Sequence, residues 1–236
     1  MFGKSVKVAV AVLAGGAALT ACGPVKMGAA AIVGNDRITI AKLDAAVTAW
    51  GKELPKYPAA QQIVQRSQSQ SQGQGQGQQI PFDPASPQRS ALYQLVDMRV
   101  WDEVARANHV NVGPGRVDAF IASNGGARTL DANVLAQGLP RSYGPNYARS
   151  VLVRQAMLQR YGVASGQPAD PQKQQQAVQQ ILANYVRAGR SLNIKISPRF
   201  GSFDYQTMTL GQVCPRLSTP DSGTPGGSGN EVKCQV

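Results

Sequence analysis

Three cysteines, one histidine and thirteen carboxylates are the side chains from which this chain could build chemistry. Cys214 and Cys234 have no third or fourth zinc ligand near them, so metal spacing is absent. His109 stands beside Val110 at the end of a predicted helix, where a capping or surface role fits better than acid-base work. Gly73-x-Gly75-x-Gly77 has the glycines of a phosphate-cradling loop but neither the strand before it nor the helix after it. Gly227-Ser228-Gly229 lies in a Pro, Gly and Ser cluster and lacks the spacing of a nucleophile elbow. Asp and Glu are too sparse to recognise a pair with separated acid and base roles. Neither an enzyme nor a cofactor or metal site is expected, and the catalytic residues are none.

Cys22 suggests a different chemistry. Lys4 and Lys7 precede the uncharged run Val8 to Leu19, and small residues Thr20 and Ala21 lead to the thiol, the layout of a secretory signal over 1–21. The run is shorter than the roughly 20 apolar residues of a spanning helix. Leu19-Thr20-Ala21-Cys22 resembles the bacterial lipobox, whose Cys receives a thioether-linked diacylglyceryl group. Cys22 is therefore expected to be lipidated, with 22–28 as a tether to the outer face of the cell membrane. If that sulfur is consumed, Cys214 and Cys234 remain as a pair in an oxidising compartment, and a disulfide between them is expected. Closing such a loop would contribute roughly 3 kcal/mol in the chain-entropy picture.

The formal charge of +11 falls to +9 when Lys4 and Lys7 leave with the signal. A basic balance suits nucleic acid, but an exported lipoprotein seldom meets any. Anionic headgroups, wall polymers and acidic clients are the expected neighbours, and no nucleic-acid partner is assigned. About 215 residues remain, enough for one core with loose appendages.

The elements that would position any site are mostly helices. Ala29–Val33 and Arg37–Ile40 flank Gly34-Asn35-Asp36 and predict a small hairpin. Thr39 can cap a helix carrying Leu43, Val47 and Trp50. Gln65 to Gln79 alternates Gln with Ser or Gly and predicts a disordered insertion. Ser86-Pro87 opens a long helix to about Asn108, with Leu92, Leu95, Val96, Val100 and Val104 on one stripe. Shorter helices carry Val117, Phe120 and Ile121, then Leu130, Val134 and Leu135. A helix from about Asn146 to Tyr161 should bury Tyr147, Val151 and Leu158 and expose Arg149, Arg154 and Arg160, ending at Gly162. Another starts at Asp170-Pro171, carries Val178, Ile181, Leu182 and Tyr185, and ends at Gly189. Leu192-Asn-Ile-Lys-Ile196 alternates as a strand and should pair with the N-terminal hairpin.

In that order the elements resemble SurA and PrsA-type foldases. Ala31-Ile-Val-Gly-Asn-Asp-Arg-Ile-Thr39 is similar to their opening hairpin. Leu95 to Ala105 and Val110 to Phe120 are similar to that domain's helix, corner and next helix. Ile194-Lys-Ile-Ser-Pro-Arg-Phe-Gly-Ser-Phe-Asp204 resembles the closing strand of Gram-positive lipoproteins of this type. The resemblance implies a mainly α domain over 29–204, its N-terminal hairpin completed by a C-terminal strand, followed by a tail at 205–236. It departs in the inverted Gly34-Asn35, in His109 where Gly is usual, and in the Gln tract. No parvulin domain can be accommodated, so prolyl isomerase activity is not carried over. The implied protein is a membrane-anchored extracytoplasmic binding module for unfolded or exported proteins. The competing expectation is an interaction lipoprotein that holds one specific envelope protein.

Overall fold

A computed structural model describes residues 28–71, 86–163, 170–211 and Val213. The chain is mainly helical with a small antiparallel sheet. Strands β1 (Ala29–Val33) and β2 (Asp36–Thr39) form the expected hairpin, with Val33 opposite Asp36 across two residues. Gly34 supplies the positive φ of +59° that a primed two-residue turn requires at its first central position. The far strand β3 (Lys195–Ile196) pairs antiparallel with β1 and gives the order β2-β1-β3, as its alternation predicts, although only two of the five residues join the ladder.

Seven helices are present among the described residues: α1 (Ile40–Glu53), α2 (Pro58–Ser71), α3 (Pro87–Ala107), α4 (Pro114–Ser123), α5 (Gly126–Ala136), α6 (Gly144–Arg160) and α7 (Pro171–Ser191). Thr39 Oγ1 caps α1 by accepting from the Lys42 N–H at 3.1 Å. Asp170 caps α7 through the Gln172 N–H at 2.9 Å. Ser86 stands before α3, but its hydroxyl makes no capping bond, so Pro87 alone marks that start. His109 has a φ of +53° just past the end of α3, the left-handed position that usually goes to glycine.

Helix α3 is the axis of the core. All five residues of its expected stripe are buried, and α1, α6, α7 and β1 pack around it. Burying each such aliphatic side chain stabilises by roughly 1.5–3 kcal/mol before ordering costs. Helices α2 and α5 add a smaller cluster in which Ala60, Ala132 and Leu135 meet Trp50 and Tyr57. The indole N–H of Trp50 donates to the Leu135 carbonyl at 2.8 Å and ties α1 to α5.

Four expectations are corrected. The Gln-rich insertion does not start at 65: α2 runs on to Ser71 because Gln is an adequate helix former and no glycine intervenes before Gly73. Residues 72–79 lie outside the described part. On α6 the buried row is Ala148, Leu152, Val153 and Met157, so Tyr147, Val151 and Leu158 are only half-buried. Helix α7 does not end at Gly189. That residue lies inside the helix, and the position suits glycine because a Cβ there would collide with the Met208 side chain, 3.0 Å from its Sδ. Finally, the packed unit does not stop at Asp204. Strands β4 (Phe203–Asp204) and β5 (Thr209–Leu210) form a second hairpin that delivers fully buried Met208 to the core.

Candidate functional site

Helices α4, α5 and α6 enclose an open groove of about 280 Å³. Its apolar wall is Phe120 and Ile121 from α4, Leu130 from α5, and Tyr147 and Val151 from α6, all half-buried. Asn124, Thr129 and Asn133 supply a polar margin. The sequence builds it through glycines. Gly125 and Gly126, at φ +87° and +74°, reverse the chain sharply between α4 and α5. Thr129 Oγ1 donates to the Gly125 carbonyl at 2.9 Å, and Asn124 Nδ2 donates to the Phe120 carbonyl at 2.8 Å. Gly144 lets α6 approach α5, since a Cβ there would lie 3.1 Å from Leu130 Cδ2. Phe120, Ile121 and Tyr147 pack against the edge of the core with part of each side chain open to the groove, and on α6 the buried positions are the neighbours of Tyr147 and Val151, Ala148 and Leu152.

A buried polar cluster holds the wall behind the groove. Asp97, on α3, is only 6% exposed. Its Oδ2 accepts from Arg154 Nη2 of α6 at 2.7 Å. Its Oδ1 accepts from the Trp101 indole N–H at 3.2 Å and from the Tyr185 hydroxyl of α7. The Arg154 guanidinium lies 4.8 Å over the Trp101 ring, whose face attracts a cation, while its buried Nε makes no hydrogen bond among the described residues. The Trp101 and Tyr185 rings are in contact, centroids 4.8 Å apart and planes tilted by 36°. Desolvation raises the Asp97 carboxyl above its ordinary value, opposed first by the Arg154 charge and then by the hydrogen bonds. Burial, with the Asp97 charge second, also pushes the hydroxyls of Tyr93 and Tyr185 well up. Three donors engage both oxygens of a carboxylate that is almost wholly buried. The cluster is a clamp joining α3, α6 and α7.

The cluster corrects the basic surface drawn from the sequence. Arg149 and Arg154 are half-buried clamps: Arg149 donates to Asp102 at 3.2 Å and to the Val112 carbonyl at 3.1 Å. Arg160 is exposed, as expected, and donates to the Asn108 carbonyl at 2.6 Å at the end of α3. A signal for the cluster was present in the sequence. Asp97 interrupts the most apolar stripe of the chain, with Tyr93 and Trp101 four residues to either side on the same helical face.

Cys22, Cys214 and Cys234 all lie outside the described residues, so the lipidation and the disulfide rest on sequence alone. His109 is exposed at the end of α3 and joins no cluster. No group of three or more potential metal ligands occurs among the described residues, and no helix there is long and apolar enough to cross a membrane. Comparison with known proteins finds no matching family model, no matching curated protein and no matching solved structure.

Proposed function

We propose that this chain is an exported lipoprotein, anchored through Cys22 to the outer face of the cell membrane. Its helical domain binds apolar segments of unfolded or newly exported proteins in the manner of a SurA-like chaperone, without isomerase chemistry. The observation that carries the reading is the groove between α4, α5 and α6, where five apolar side chains are left half-buried around an open space. A cavity of 150 Å³ admits benzene, so about 280 Å³ suits one or two apolar side chains of a peptide rather than a cofactor. The β2-β1-β3 sheet adds support, because the C-terminal strand completes the N-terminal hairpin as the family resemblance leads one to expect.

Peptides bearing a single Leu or Phe test the groove by fluorescence anisotropy. Val151→Glu, at a half-buried position, should weaken their binding about tenfold or more, since a carboxylate in the groove loses water without gaining a partner. Unchanged binding by that variant, or binding of one envelope protein and no peptide, contradicts the chaperone reading. Intact-mass analysis tests the anchor: a chain beginning at Cys22 with an acyl-sized increment, and a two-dalton rise on reduction for the Cys214–Cys234 bridge.

A further inference from the structure

Helix α7 carries a second apolar row that is exposed over its first two turns among the described residues. Ala177, Ile181, Tyr185 and Ala188 face the core, with Ile181 half-buried. One step of about 100° around the helix, exposed Val178 and Leu182 form a parallel row that ends at Val186, half-buried against the core. Val178 is 53% and Leu182 54% exposed, and only Val213 joins them as a large exposed hydrophobic among the described residues. Arg187 and Arg190 border a depression beside Leu182 and Val186. Neither has an ion pair or side-chain hydrogen bond among the described residues, whereas Arg99, Arg106, Arg141, Arg149 and Arg154 are all paired with carboxylates. The whole of α7 contains no acidic residue, and its charges are Lys173, Arg187 and Arg190.

We propose that this row lies in the interface of an anionic membrane, with Val178 and Leu182 at the acyl boundary and Arg187 and Arg190 against phosphate headgroups. Apolar and cationic residues side by side on one helix are the composition that binds such an interface. The occupant follows from the reach of the chain. Five residues lie between Cys22 and Gly28, the first described residue, and the six steps span at most about 20 Å. A domain held that close meets headgroups before it meets a soluble partner. This step rests on the proposed anchor; the charge and exposure of the row do not.

The test uses the full mature protein on vesicles, with an environment-sensitive fluorophore on Gln179→Cys beside the row and on Ala127→Cys of α5 as reference. On vesicles of phosphatidylglycerol and phosphatidylcholine, lipid-borne quenchers should quench the label at 179 and spare that at 127. Replacing both arginines, Arg187→Gln with Arg190→Gln, should weaken this contact about 30-fold. Equal quenching at the two positions overturns the proposal. So does a label at 179 already shielded before vesicles are added, which would mean a second copy or another segment of the chain covers the row. Shielding by a soluble acidic peptide but not by vesicles also overturns it. Mass analysis of the same sample separates the two readings: quenching at 179 in a chain without acyl groups refutes the anchor and supports the membrane contact.

Discussion

Asp97 shows most directly how single residues decide this structure. Removing one partner of a buried pair leaves the other without its counter-charge, so Asp97→Ala should cost about 3 kcal/mol in chemical denaturation. Joint replacement, Asp97→Leu with Arg154→Met, should recover the part of that loss owed to the unpaired guanidinium, while the Trp101 indole and Tyr185 hydroxyl, left without their acceptor, keep the rest. If the double variant is as unstable as the single one, the cluster does more than clamp three helices. The acid behaviour of the site follows from its burial. A carboxyl raised above its unfolded value contributes stability in full below about pH 4 and loses it as pH rises through the folded value. Asp97→Asn should flatten that decline in a series of pH-dependent denaturation curves; a decline of undiminished slope would place its origin elsewhere. His109 illustrates the opposite sign. Its φ of +53° suits glycine better, so His109→Gly should raise stability by about 0.5 kcal/mol, read from the denaturation midpoint.

At the scale of elements, close approach matters more than periodicity. Position 189 takes glycine inside a helix because Met208 occupies the space a side chain would need. Gly189→Ala should therefore cost about 1–2 kcal/mol by overpacking in the natural chain, and little further when added to Met208→Ala if the collision is the cause. These contacts also explain what the sequence disclosed. Elements with strong local signals were legible: the Gly34 turn, the Thr39 and Asp170 caps, Pro87 at the head of α3 and the alternation at Ile194–Ile196. Helix α2 was missed because its apolar content is a few alanines with Ile63 and Val64, and it becomes a helix by packing Ala60 against Ala132 and Leu135 of α5. Met208 was unreadable for a similar reason, a lone apolar residue between threonines whose burial depends on a glycine nineteen positions earlier. The groove was not legible at all, since a half-buried and a buried apolar residue look alike along a helix. Asp97 could have been found, as a carboxylate set between aromatics in an apolar stripe.

At the scale of the whole molecule, the clamp relates the two proposed binding surfaces. The clamp fixes α6 and α7 to α3, so Tyr147 and Val151 on one helix and Leu182 on the other are presented from a common rigid frame. The central claim is that this frame displays a groove for apolar segments of many proteins. Light scattering of several unrelated, chemically unfolded clients, each diluted into buffer with and without the intact protein, tests it most directly. The account predicts that scattering falls for all of them and that Leu130→Glu with Val151→Glu abolishes the protection while the fold, followed by circular dichroism, is retained. Unsuppressed aggregation across the set, or protection that survives both groove substitutions, would contradict it.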